Sequence, residues 1–326
     1  MKLVIGASGQ DGLILSRALA LRGERVVAIG SNRSRERGVE SILPEIEWLF
    51  SSPTGELPLG RIKGRPDQIF HFAGDSSVWN SWAKPFASMP KNLELSVGAM
   101  DFAIESEAHL VLAGSSEMYS RRQLVVSEST PLFPSSPYGV SKAAAFEMSR
   151  LLREKGVLKS SNLVMFNHES PLRNSEFLTK KLVRQLIDLS AGKRNELTLR
   201  NKVATKDFSW APDFVRVMTG VNLLDLNEDF VLASSESSSV EQLALAGLDI
   251  MGLEAEILQT ESSAELPQIN PTGDPSKAEM RLGFKKTNGG KQLMQKLIDL
   301  ELRAIGLSEM DSTKLFVSAL AEEALT

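Results

Sequence analysis

Across the first half of the chain, short apolar runs alternate with longer stretches in which apolar residues recur every three or four positions. That alternation predicts a parallel sheet with helices on its faces. The runs Leu3–Ile5, Arg25–Ile29, Gln68–Phe72, Leu110–Ala113 and Asn162–Phe166 are too short and too uniformly apolar for half-exposed strands, which points to burial on both sides. Helical patterns fill the gaps at about 12–22, 85–107 and 138–155. The segment Ser51–Arg65 is rich in Gly and Pro, so a third strand there is expected to be stunted. After Asn167 the alternation loosens. Helices are expected near 176–191, 211–226, 239–252 and 290–304, with short strands around 196–199, 229–233 and 254–259, and Ser308–Thr326 reads as one more amphipathic helix.

Composition narrows the chemistry. A chain of 326 residues makes two domains or one large one. The 37 Lys and Arg against 41 Asp and Glu leave a net charge of −4, which offers no general basic surface for nucleic acid or an anionic membrane. With no cysteine, thiolate catalysis, disulfides and Cys-based zinc sites are excluded. His71, His109 and His168 lie far apart and show no metal-ligand spacing. No apolar run approaches the roughly 18 residues of a membrane span. The opening MKLVIGASG turns glycine-rich too early for a signal peptide, so a cytoplasmic location is expected.

The first candidate site is the turn Gly6-Ala7-Ser8-Gly9-Gln10-Asp11-Gly12, placed between the first strand and the first helix. Gly6 would permit a tight turn, Gly9 would let a pyrophosphate approach the backbone, and Gly12 would let helix and strand pack closely. Such a turn cradles a dinucleotide on the free amides of the helix. Where an NAD site usually places an acid after the second strand, this chain has Ser31-Asn32-Arg33-Ser34-Arg35. Arg33 and Arg35 suit a 2′-phosphate, which favours NADP.

The second is Tyr138-Gly139-Val140-Ser141-Lys142, a phenol and an ammonium one helical turn apart. A nearby cation favours the phenolate and could make Tyr138 a base near neutrality. Ser115 and Glu117 follow the strand Leu110–Ala113, at the carboxyl end where α/β sheets place ligand contacts.

GASGQDG, this Ser-x-Glu and SPYGVSK together resemble the extended short-chain dehydrogenase/reductases that act on nucleotide sugars. FNHESPLRNSEFLTKK at 166–181 is very similar to the FNHESPRRGxxFVTRK signature of GDP-mannose 4,6-dehydratases, and ATKDFSWAPDFVRVM at 204–218 follows their AKRDWGHAxDYVxAM. Asp229–Ala233 and Asp274–Gly283 resemble further motifs of that family. The resemblance implies a Rossmann-type doubly wound sheet with a smaller, interleaved carboxyl-terminal α/β lobe. Residues 1–166 would bind NADP and 167–326 mainly the sugar nucleotide, with about 203–226 packing back on the first domain. It also implies a homo-oligomer, dimer or tetramer.

Roles carry over by position. Tyr138, backed by Lys142 and Ser115, would take the proton of the sugar C4 hydroxyl, and Glu117 the C5 proton. Gly6, Ser8, Gly9, Gln10, Asp11, Gly12, Arg33, Arg35, Ala73, Tyr138, Lys142 and His168 would contact the cofactor, with His168 a hydrogen-bonded histidine and not a general acid. Ser76, Ser116, Asn167, Glu169, Arg173, Lys180 and Lys206 would face the substrate. Ser115 stands where the family commonly has Thr, and Lys206 where it has Arg. The expected reaction is NADP-dependent dehydration of GDP-mannose to the 4-keto-6-deoxy sugar. Alternatives are a UDP-sugar decarboxylase or epimerase, a 4-keto-sugar reductase, and a non-catalytic NADP-binding protein.

Overall fold

Each of the five apolar runs becomes a strand of one parallel sheet in the computed structural model, which describes residues 1–220, 226–259, 270–287 and 289–326. In chain order the first half reads β1 (Lys2–Ile5), α1 (Gln10–Leu21), β2 (Val26–Gly30), α2 (Asn32–Glu36), β3 (Glu47–Phe50), β4 (Gln68–His71), α3 (Val78–Ala83) and α4 (Pro85–Ser106). It continues with β5 (His109–Ala113), β6 (Val125–Val126), α5 (Pro137–Glu154) and β7 (Ser160–Met165). The second half adds β8 (Asn167–Glu169), α6 (Leu178–Ser190), β9 (Glu196–Leu199), β10 (Thr205–Trp210), α7 (Ala211–Gly220), β11 (Asp229–Leu232) and β12 (Ser237–Ser239). Then follow α8 (Val240–Met251), β13 (Glu256–Gln259), β14 (Thr272–Gly273), α9 (Ser276–Leu282), α10 (Gly289–Arg303) and α11 (Glu309–Ala324). The helix expected over 211–226 is seen to Gly220; residues 221–225 lie outside the described part.

The central sheet has the order β11-β7-β5-β4-β1-β2-β3, all parallel, and its twofold side-chain period sorts the core. Leu3, Ile5, Val27, Ile29, Ile69, Leu110 and Leu112 point to one face, where Ala99, Met100 and Ala103 of α4 and Ala145 of α5 cover them. Val4, Ala28, Phe70 and Val111 point to the other, under Leu13, Ile14 and Leu15 of α1, Phe214 and Val215 of α7, and Phe316 and Leu320 of α11. The fold is therefore the doubly wound α/β arrangement expected. β11, from the second half of the chain, closes the sheet at one edge, and α7 and α11 both pack on α1.

One reading needs correction, and one sheet went unread. The third strand is not in Ser51–Arg65 but just before it, at Glu47–Phe50; as an edge strand it is half-buried and carries Glu47, so its apolar pattern is weak. The polar strands β8, β10 and β12, which form a separate three-stranded sheet, have no apolar pattern to announce β8 and β12, and β10 is fully buried only from Asp207 onward. No helix among the described residues is long and apolar enough to cross a membrane.

Candidate active site

β1 runs directly into the glycine turn. Gly6 has φ +86°, and a Cβ there would fall 2.5 Å from the Ala73 backbone nitrogen, so both conformation and close approach require glycine. A Cβ on Gly12 would lie 2.5 Å from the Gly6 carbonyl oxygen, which is how closely α1 packs on the turn. Gly9 is the N-cap of α1, whose first amides have no partner within the helix and favour an anion. Shape and free amides fit a dinucleotide pyrophosphate.

The turn opens into a cavity of about 760 Å³ at the carboxyl ends of β1 to β4. Gly6, Ser8 and Gly9 form its middle, Ala73, Gly74 and Asp75 one end, and Gly30, Ser31, Ser51 and Gly55 the other. Arg33 and Arg35 do not line it. Both are exposed on the short α2, and the Arg35 guanidinium lies over the Phe50 ring at 5.7 Å. Among the described residues the cations of the wall are Lys84, which caps α4, and Lys91, on the α4 face that also carries Ala87, Ser88 and Leu95. Their spacing of seven is visible in the sequence, but nothing local says that this face meets a cavity.

Beyond the end of β5, Ser115 caps a single 3₁₀ turn, Ser116–Met118, which carries Glu117. Facing it is the start of α5, where Ser136 accepts a hydrogen bond from the Gly139 amide at 3.0 Å and Pro137 fits the first turn. A Cβ on Gly139 would fall 2.2 Å from the Glu117 carbonyl oxygen. Glycine after the tyrosine is what lets α5 press against this turn, setting Tyr138 beside Ser115 and Glu117.

Burial is the largest influence on the Tyr138 phenol and pushes it up to about 12. A hydrogen bond with Ser115 and the charge of Arg173 draw it down, while Glu117 and Asp75 push it further up. The expected cation, Lys142, acts elsewhere: its Nζ donates to the Ala113 carbonyl oxygen at 2.8 Å, and burial pushes it down to about 8. Sharing a helix face brings the two side chains together, but the open carbonyl at the end of β5 captures the ammonium. Behind the site, burial and then the charge of Lys142 push His71 down to about 3; its Nε2 meets Ser96 Oγ at 3.2 Å.

The segment from β8 divides sharply. Asn167 is half-buried at the start of β8 and Lys206 half-buried on β10, its ammonium free of any ion pair among the described residues. The buried Asp207 next to it accepts hydrogen bonds from the Ser234 hydroxyl and from the amides of Ser234, Ser235 and Gly273, fixing β10. Arg173 stacks on Phe177 at 4.2 Å and is held by Glu169 at 3.4 Å. Glu169 itself is buried and takes the Thr179 hydroxyl as well, so it positions Arg173 and is not open to a substrate. Lys180 is also turned away: it binds Glu301 and the Pro171 carbonyl oxygen, 5.4 Å from the Phe316 ring centre. Ser76 is exposed on the loop after β4, and Ser116 is half-buried beside Glu117.

Gln10, Asp11 and His168 form a knot between the glycine turn and β8. His168 Nδ1 donates to the Phe166 carbonyl oxygen at 2.7 Å, and its Nε2 lies 3.0 Å from Asp11 Oδ2. Gln10 donates to the His168 carbonyl oxygen at 3.1 Å and accepts from the Ser170 hydroxyl at 2.7 Å. Burial raises the Asp11 carboxyl, but the charges of His168 and Arg173 together with the hydrogen bonds outweigh it and hold the group below its ordinary value. These side chains are engaged within the protein; only the backbone at Gln10 and Asp11 remains for a phosphate.

Comparison with known proteins agrees with this arrangement. The chain is 29% identical over 327 residues to GDP-mannose 4,6 dehydratase 1 of Arabidopsis thaliana, covering 92% of this chain and 89% of that protein. It is 27% identical over 333 residues to GDP-mannose 4,6-dehydratase of Vibrio cholerae, covering 86% and 88%. A UDP-glucuronic acid 4-epimerase from Bacillus cereus, solved in complex with UDP-glucuronic acid and NAD, superposes with a TM-score of 0.79 at 21% identity, over 92% of this chain and 98% of that one. At that identity the likeness speaks for the fold. The family model for GDP-mannose 4,6 dehydratase matches residues 3–297, and on that match the chain belongs to the GDP-mannose 4,6-dehydratase family.

Proposed function

We propose that this chain is an NADP-dependent nucleotide-sugar 4,6-dehydratase acting on GDP-mannose. The observation that carries the reading is a carboxylate, Glu117, acting on the same phenol that Ser115 hydrogen-bonds, at the end of a dinucleotide cradle. Tyr138 takes the proton of the C4 hydroxyl, with Ser115 orienting it. A nicotinamide cofactor held on the Gly6–Gly12 turn would supply the redox chemistry, hydride removal at C4 and its return at C6, so no net reductant would be consumed. The C4 ketone acidifies C5. Glu117 removes the C5 proton and protonates the departing C6 hydroxyl, which leaves as water; it then takes a proton from solvent and delivers it to C5 once C6 has regained a hydride. A 4-keto-sugar reductase has no such use for a carboxylate here, and the run Asn167-His168-Glu169-Ser170-Pro171 argues against a UDP-sugar decarboxylase or epimerase. In the free protein Tyr138 stands near 12, so a bound substrate and cofactor must lower it before it serves as a base at neutral pH.

Residues 1–166 would hold the cofactor and 167–326 mainly the sugar nucleotide, with Asn167, Arg173 and Lys206 facing the substrate. We include a cytoplasmic, homo-oligomeric enzyme in the reading; exposed Val97 on α4 and Met148 and Leu151 on α5 support self-association. A UDP-sugar is the second reading, favoured by Lys206 standing where the family has Arg and by the lack of any arginine between Arg216 and Arg281. Incubation with GDP-mannose in heavy water is the test. The expected product is the 4-keto-6-deoxy sugar with deuterium at C5, identified by mass. Turnover of UDP-sugars with GDP-mannose untouched would move the substrate, and an unreduced C6 would refute the dehydratase.

A further inference from the structure

We propose that Lys91, on α4, is the residue with which this chain recognises the 2′-phosphate of its dinucleotide. The proposal rests on the NADP reading above and replaces Arg33 and Arg35 in that part of it. The cavity end between the loops after β2 and β3 lies three to four inter-strand steps from β5, about 14–19 Å from the phenol's end of the sheet. A dinucleotide whose pyrophosphate rests on Gly6 and Gly9 and whose nicotinamide faces Tyr138 must put its adenosine at this far end.

Among the described residues no acid lines that end of the cavity to meet a ribose 2′-hydroxyl: β2 ends at Gly30 and continues into Ser31. Among the described residues the one carboxylate lining the cavity, Asp75, stands after β4 and acts on Tyr138. Lys91 reaches across from α4 until its ammonium lies over Gly55, where a Cβ would fall 2.7 Å from Nζ. Gly55 has φ +96°, so that loop admits the lysine by lacking a side chain as well as by its turn. Lys91 has no ion pair among the described residues. The Ser31 and Ser51 hydroxyls accept from the Ser34 and Asn32 amides and keep their own protons to donate. One ammonium and two hydroxyls lining the same cavity suit a phosphate monoester. Arg33 and Arg35 lie on the outer side of the same loop, outside the lining.

The test is direct binding to the full-length protein, by calorimetry, of adenosine 2′,5′-bisphosphate and 5′-ADP. Wild type should bind the bisphosphate at least about tenfold tighter. Lys91→Met should remove that advantage, leave 5′-ADP within about twofold, and keep the wild-type melting temperature; Lys91→Arg should restore it. The double variant of Arg33 and Arg35 to Ala should retain it. If Lys91→Met keeps the preference, or weakens both ligands equally, the assignment to Lys91 is overturned while the NADP reading stands. If wild type binds both ligands alike, the NADP reading itself fails, and Lys91 with it.

Discussion

Replacing Lys142 by Met should stabilise the cofactor-free protein at neutral pH. The lysine is buried and its folded-state pKa is about 8 against an ordinary 10.5, because burial penalises the charged form. Below pH 8 the ammonium is charged in both folded and unfolded chains, and the fold carries the whole penalty. At 1.36 kcal/mol per unit, that is about 3 kcal/mol. Between about pH 8 and 10.5 the folded lysine gives up its proton first, and the penalty fades as pH rises. Methionine keeps most of the buried stem but loses the hydrogen bond to the Ala113 carbonyl oxygen, which offsets about 1 kcal/mol. A net gain of about 2 kcal/mol at pH 7 should therefore shrink towards zero by pH 10. Urea midpoints of wild type and variant at both pH values measure this. A variant less stable than wild type at pH 7, or a difference that does not change with pH, would refute the reasoning.

Glu117→Gln should let the C4 oxidation proceed and stop the elimination, so the absorbance of reduced nicotinamide builds up and product formation falls by about 10²–10⁴. Removing the Glu117 charge also lets the Tyr138 phenol fall, so the pH profile of the first half-reaction should move to lower pH. Gly139→Ala forces a Cβ to within 2.2 Å of the Glu117 carbonyl oxygen and should cost about 1–3 kcal/mol in a melt, with kcat falling more than KM rises. Lys180→Met strands the Glu301 carboxylate and should lower stability by about 1–3 kcal/mol while leaving the KM for GDP-mannose within about threefold; a large rise in KM would return Lys180 to the substrate site.

What the sequence reveals and what it hides divide along physical lines. Strands buried on both faces, such as Leu3–Ile5 and Leu110–Ala113, declare themselves because every position is apolar. Edge strand β3 does not, since Glu47 and half-exposed neighbours break the run. Tyr138, Ser115 and Glu117 are legible because their placement is local, at a helix start and just past a strand end. Glu169 and Lys180 belong to the same signature stretch as Arg173, yet position within a motif does not say which way a side chain turns. Glu169 lies beneath Arg173 and Lys180 faces α10 and α11. Lys91 is hidden for the opposite reason: it is far in sequence from Ser31 and Ser51, and only the strand order β4-β1-β2-β3 sets α4 across from both loops.

The proposed reaction removes a hydride at one carbon and restores it at another, so sugar and cofactor must keep their relative position through the whole cycle. A cradle and a substrate surface built on separate pieces of chain would drift unless something fastened them. In this fold the fastening is specific. Gln10 and Asp11 leave the glycine turn and grip His168 and Ser170. β8 pairs in parallel with β10, from Asn167 opposite Phe208 to Glu169 opposite Trp210. Asp207, saturated by four hydrogen bonds, fixes β10 and with it Lys206. The His168 ring also packs on Phe214 of α7 at 4.7 Å, and α7 lies against α1, which begins at the cradle. Two routes thus join the pyrophosphate end to the substrate side, one polar and one packed. Asp11→Asn would weaken the Asp11–His168 contact of the first and leave the second, so its effect should fall on kcat for the two-step reaction more than on cofactor affinity.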